Sequence, residues 1–130
     1  MLTRDQKYAI SAHEKVQQRA KEPEAKSYGV MVHKLSILIH TAGLAQALAF
    51  VDARSSKEIQ KHLLDDLAET VGKKDKTALL KAARESQLVE YILFTKQILN
   101  ALLWYKRFAQ SILNVDVGDI TDEEDTTHAS

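Results

Sequence analysis

The stretch LSILIHTAGLAQALAFV, Leu35 to Val51, decides the fold. Leu35, Leu38, Ile39 and Ala42 recur at intervals of three and four, and beyond Gly43 the residues Leu44, Ala47, Leu48 and Val51 do so again. That spacing puts apolar side chains on one face of a helix. Glycine takes φ > 0 without a Cβ clash, so Gly43 predicts the end of one helix and the start of a second at an angle to it. Two apolar helices meeting at one glycine are the core hinge of a helical protein.

On the N-terminal side, Pro23 sits where a helix can begin and not where one can continue, so the helix that ends at Gly43 starts near residue 24. Before it, Thr3 with Gln6 forms a capping-box pattern ahead of Tyr8, Ile10, Ala12 and Val16, predicting a first helix from about residue 3 to about residue 21. On the C-terminal side, Asp52 to Ser56 reads as a connector, with Ser55 and Glu58 as a second capping box. Ile59, Leu63, Leu64, Leu67, Ala68 and Val71 then predict an amphipathic helix closed by Gly72. A basic loop, Lys73, Lys74, Asp75 and Lys76, leads to a short helix around Leu79, Leu80, Ala82 and Ala83. The last helix runs from Leu88 to Leu113 and spans about 40 Å at the usual rise. Tyr91, Phe94, Ile98, Leu102, Tyr105, Phe108 and Ile112 mark one face of it, and Leu88, Ile92, Leu99, Leu103 and Leu113 broaden that face. A helix apolar over so much of its girth is expected at the centre, with others packed around it.

The expected architecture is all-α, a compact bundle of about six helices over residues 1–114. A chain of 130 residues supports one core, and four glycines with one proline offer little punctuation for hairpins. The chain has no cysteine, so neither disulfides nor thiolate metal sites enter, in keeping with a reducing cytoplasm. The opening MLTRDQKYAIS is charged where a secretion signal needs an apolar run, and His33, Lys34, His40 and Gln46 interrupt the best candidate for a membrane span.

The zero net charge conceals an asymmetry. Residues 115–130 carry six acids (Asp116, Asp119, Asp122, Glu123, Glu124, Asp125) and no Lys or Arg, so residues 1–114 hold eighteen basic against twelve acidic side chains. A basic body suits an anionic partner, nucleic acid above all, while residues 115–130 are expected to form a flexible acidic tail.

Catalytic patterns are missing. His33 and His40 stand two helical turns apart, about 10 Å, too far for one metal to bridge. His62 with Asp65 or Asp66 offers two ligands where a metal needs three or four. His13 and Glu14 begin no HExxH, because residue 17 is Gln, and neither a phosphate-binding glycine loop nor a GxSxG elbow is present. No metal site, no cofactor and no enzymatic activity are expected.

Three phrases carry a family resemblance: TRDQKYA at the start, LIHTAGLAQALAF in the core, and YILFTKQILNALLWYKRFA in the last helix. Together, over about residues 2–113, they resemble the small all-helical subunit of the type III-B CRISPR effector, the Cmr complex. The acidic tail is not part of that pattern. The resemblance implies a non-catalytic cytoplasmic subunit that stacks with copies of itself beside other Cmr subunits and contacts guide and target RNA. Membranes and small-molecule substrates have no place in this reading. Lys and Arg would neutralise phosphates while base pairing supplies sequence specificity. The residues that suit this are Arg4 and Lys7, one turn apart on the first helix; Lys15, Arg19, Lys26 and Lys34, which continue a stripe if the first two helices pack antiparallel; and Lys106 with Arg107. Two other readings stay open: a protein-protein scaffold module that never touches RNA, and a helical hydrolase using His62 and Asp66.

Overall fold

The computed structural model describes residues 1–55, 57–116 and 118–119. Six helices follow one another among them: α1 (Arg4–Ala20), α2 (Ala25–Ala42), α3 (Leu44–Arg54), α4 (Glu58–Thr70), α5 (Lys76–Glu85) and α6 (Leu88–Ile112). No described helix is long and apolar enough to cross a membrane.

Local chemistry sets most of the helix ends. Thr3 Oγ1 accepts the Gln6 N–H, and the Gln6 side chain accepts the Thr3 N–H in return, so the expected capping box opens α1. Gly43 stands at φ 87°, ψ 161° and separates α2 from α3. A glycine cap has no side chain for the exposed amides of α3, and Tyr91 of α6 supplies the missing acceptor: its Oη takes the Ala45 N–H at 3.1 Å. Gly72, at φ 84°, ends α4 in a Schellman arrangement, with Lys73 N–H on Ala68 O at 2.8 Å and Gly72 N–H on Glu69 O at 3.2 Å. Ser55 departs from expectation. Its hydroxyl turns back to Val51 O and closes α3, so α4 begins after Lys57 with no side-chain cap. A serine hydroxyl can bond the carbonyl four residues back as readily as an amide ahead.

α2 is the most buried helix, with Tyr28, Val32, His33 and Leu35 almost without exposure. Its partners set the helix directions. Gly29 faces Leu113 and Val115 while Gly43 faces Tyr91, so α2 and α6 run antiparallel. α1 runs alongside α6, with Asp5 on Trp104 and His13 on Phe108, and antiparallel to α4, with Ser11 on Thr70 and Arg19 on Asp66. α6 buries Phe94, Ile98, Leu102 and Tyr105 against α1, α2 and α4. Leu88, Val89, Ile92 and Leu93, however, are 73, 69, 48 and 54% exposed. Its first two turns project beyond the start of α1, so the broad apolar girth read from sequence is bare at this end, and Leu103, further along, is also 42% exposed.

The core also extends past residue 114. Asn114 takes the left-handed conformation (φ 58°) and turns the chain back, which lets Val115 donate its N–H to Ala109 O at 3.0 Å and bury its side chain against Gly29. Val115 is thus part of the body and not of a tail. The remainder of the predicted tail, apart from Asp116, Gly118 and Asp119, lies outside the described residues.

Candidate nucleic-acid interface

The eight basic residues picked from sequence fall into three groups. Arg4 and Lys7, both exposed, line a cleft of about 480 Å³ with Tyr8, Thr70, Val71, Gly72 and Gln97. The α1 cap fixes their backbone, and α4 ends opposite them at Gly72. Lys73, next in the chain, holds its ammonium 5.3 Å from the Phe94 ring, one turn of α6 before Gln97. Burial pushes the Tyr8 hydroxyl up from its ordinary pKa, against a smaller lowering by Arg4, so the cleft wall stays neutral and the cations set its sign.

Lys15 and Arg19 are engaged within the fold. Lys15 Nζ meets Glu69 Oε2 at 2.6 Å. The Arg19 guanidinium grips Asp66 through Nε and Nη2, each at 2.9 Å, and reaches Glu22 through Nη1 at 2.8 Å. Asp66, 3% exposed, also accepts the Tyr28 hydroxyl at 2.7 Å. The carboxylates hold Arg19 well above the usual arginine pKa, chiefly through the Asp66 hydrogen bond, and burial holds Tyr28 well above the usual tyrosine value. These two cations bind α1 to α4. They do not join Arg4 and Lys7 to Lys26 in one continuous stripe, although α1 and α2 do run antiparallel as the stripe required.

The third group comprises Lys26 and Lys34 of α2 with Lys106 and Arg107 of α6. Lys26 is exposed on α2, and Lys34 sets its ammonium 5.6 Å from the Phe50 ring. Arg54 stacks on the same ring at 5.2 Å, and Lys57 donates to Ser27 Oγ at 2.9 Å. Lys106 faces the His33 neighbourhood, and Arg107 lies 5.1 Å from the Trp104 ring. Trp104 is half-buried, stacked on Phe108, with its indole N–H on Asp5 Oδ1 at 2.9 Å. Lys73, Arg54 and Lys57 were not among the candidates. The basic loop after Gly72 was a visible signal for Lys73, whereas the contacts on Phe50 join α2 to α3, and the Lys57–Ser27 bond spans 30 residues, so neither leaves a pattern along the chain.

Among the described residues, His62 and Asp66 take separate roles. His62 lines an open hollow with Glu22, Glu24 and Glu58, while Asp66 is spent on Arg19 and Tyr28. Among the described residues no group of three or more His, Asp or Glu is placed to hold a metal ion. His33 lies inside the core: it is 1% exposed, its Nε2 lies 3.3 Å from Val115 O, and burial lowers its pKa.

The sequence model of one family, described as "CRISPR-associated protein (Cas_Cmr5)", matches residues 4–112. The chain belongs to the Cmr5 family. A relative named "CRISPR system Cmr subunit Cmr5", from Thermus thermophilus, is 46% identical over 113 residues, which are 87% of this chain and 98% of the relative. The X-ray crystal structure of a CRISPR-associated Cmr5 family protein from the same organism superposes with a TM-score of 0.83 at 46% identity, covering 86% of this chain and 98% of that one. The Cmr5-family region accounts for all six helices and leaves the acidic end outside the match.

Proposed function

We propose that this protein is a non-catalytic structural subunit of a cytoplasmic type III-B CRISPR (Cmr) effector, stacking with copies of itself and contacting guide and target RNA through phosphate-neutralising side chains. The observation that carries the reading is its relationship over nearly the whole length of a Cmr subunit. The Arg4–Lys7 cleft, edged by Lys73, supports the RNA part: cations about one helical turn apart suit successive phosphates. Lys26, Lys34, Lys106 and Arg107 are further candidate contacts, and Lys15 and Arg19 serve by fixing α1 on α4.

The scaffold reading differs in one respect, that every charge serves a neighbouring subunit. The bare apolar end of α6 is the feature that favours protein contact there. Affinity purification of the tagged chain from its own cells tests both. Recovery with larger Cmr subunits and RNA, with ultraviolet RNA adducts on peptides bearing Arg4, Lys7 or Lys73, is the expected result. Recovery with protein and no RNA adducts would leave the scaffold reading, and recovery of neither would overturn the assignment.

A further inference from the structure

α6 carries a second apolar face. Phe94, Ile98, Leu102 and Tyr105 fill the side it turns to the core. At about 100° per residue, Leu88, Val89, Ile92 and Leu93 span about 140° of the side turned away, Lys96 falls close to the midline of that span, and Glu90 stands about 130° off it. The four aliphatic residues are 73, 69, 48 and 54% exposed, which leaves on the order of 400 Å² of apolar surface bare, the size of patch that marks an interaction site.

The charges beside this face are few, and they are opposite in sign. Lys96 is exposed and makes no hydrogen bond or ion pair among the described residues. Glu85, at the end of α5 and three residues ahead of Leu88, is exposed as well. It meets Arg84 Nη2 at 3.5 Å, a contact between two side chains more than half open to water that contributes little.

A surface that pairs with itself about a two-fold axis must be complementary to itself. Two antiparallel α6 helices related by an axis between Glu90 and Tyr91 meet that condition. Leu88 then falls level with Leu93 of the second copy, Val89 with Ile92, and Glu85 with Lys96, each of them twice. Glu90 stands nearest the axis along the helix but points away from the seam, so like charges do not meet there. Sliding the axis to Lys96 would bring Leu99 and Leu103 into the seam but set two ammonium groups face to face.

We infer that the exposed start of α6 is the binding surface for a second copy of this chain, lying antiparallel along it with Glu85 of each copy on Lys96 of the other. This contact closes at two copies, whereas the stacking proposed above is open-ended. It uses neither RNA nor the Arg4–Lys7 cleft. The bare patch is about half of the roughly 800 Å² that each partner gives to a standard interface, so the dimer is a weak one, forming in the micromolar range.

Sedimentation equilibrium of the full-length protein, from low to high micromolar concentration, tests it. The mass is expected to double with concentration and to rise no further. Lys96→Glu and Glu85→Lys should each weaken the dimer about ten- to thirtyfold, because each turns two exposed ion pairs into two like-charge contacts. An equimolar mixture of these two variants should restore it, since every charge in the seam then faces its opposite. Leu88→Asp combined with Val89→Asp alters the two most open positions, in a first helical turn where acids are favourable; with the helical circular dichroism unchanged, it should leave a monomer. A wild-type monomer at every concentration would overturn the inference and leave the face to a different subunit. A mass that climbs past two copies and ignores the charge reversals would overturn it as well, while supporting the stacking reading. A dimer that ignores the charge reversals would refute the pairing of Glu85 with Lys96 and with it the antiparallel seam.

Discussion

Replacing Asp66 by Ala tests the most consequential interior feature of the bundle. The substitution removes two charge-assisted bonds from Arg19 and one from Tyr28, leaving Glu22 as the guanidinium's remaining carboxylate. Stripping one partner from a buried ion pair costs about 3–5 kcal/mol, because the other charge stays out of water uncompensated. Glu22 and the 15% exposure of the Arg19 side chain place the cost near the lower end, about 3 kcal/mol. That is a large part of the 5–15 kcal/mol by which a domain typically holds together, about a fifth to three-fifths of it. Urea unfolding at neutral pH, followed by the helical circular dichroism band, measures it. A double-mutant cycle isolates the pair: Asp66→Leu and Arg19→Met each destabilise strongly, while the two together recover much of the loss, giving a coupling above about 2 kcal/mol. Costs that add to within about 0.5 kcal/mol would refute the claim that Arg19 and Asp66 act as one buried unit.

The hinge and the C-terminal anchor give further tests by the same unfolding assay. Gly43→Ala forces a Cβ onto φ 87°, ψ 161° and is expected to cost about 1–3 kcal/mol, against little change for an alanine elsewhere on the exposed helix surface. Tyr91→Phe deletes the acceptor for the Ala45 amide and should cost about 1 kcal/mol with the fold intact. Burial lowers the His33 pKa below its unfolded value, so its contribution is complete above the unfolded pKa of about 6.5 and is lost as pH falls from there toward the folded value. Between pH 7 and 5.5 the wild type should therefore lose up to about 1 kcal/mol more than His33→Leu does, and equal losses would remove His33 from the account.

What could be read ahead of the structure was local. Thr3, Gly43, Gly72 and the proline at residue 23 each act on backbone within one turn, and the helix ends fall within a residue or two of where they pointed. Ser55 misled because its hydroxyl had two backbone partners of similar worth and bonded backwards. Pairings across helices left no trace: Arg19 is separated from Asp66 by 47 residues and Lys15 from Glu69 by 54, so a stripe of cations on one helix looked solvent-facing when half of it was tied to a neighbour. The same holds for Val115, counted with the acidic end by charge but drawn into the core by a space that Gly29 leaves open. Leu88 and Ile92 have the periodicity of buried residues, and only the placement of α1 decides that nothing among the described residues covers them.

The central claim is that this helical body lends fixed positive charge to an RNA-guided assembly. The most direct measurement is the salt dependence of target-RNA binding by the assembled complex, carrying either the wild-type subunit or one with Arg4→Ala, Lys7→Ala and Lys73→Ala combined. With about 0.7 counterions released per phosphate neutralised on a single strand, the slope of log K against log salt is predicted to flatten by about two units for each copy in contact. An unchanged slope, with the variant subunit still incorporated, would contradict the account.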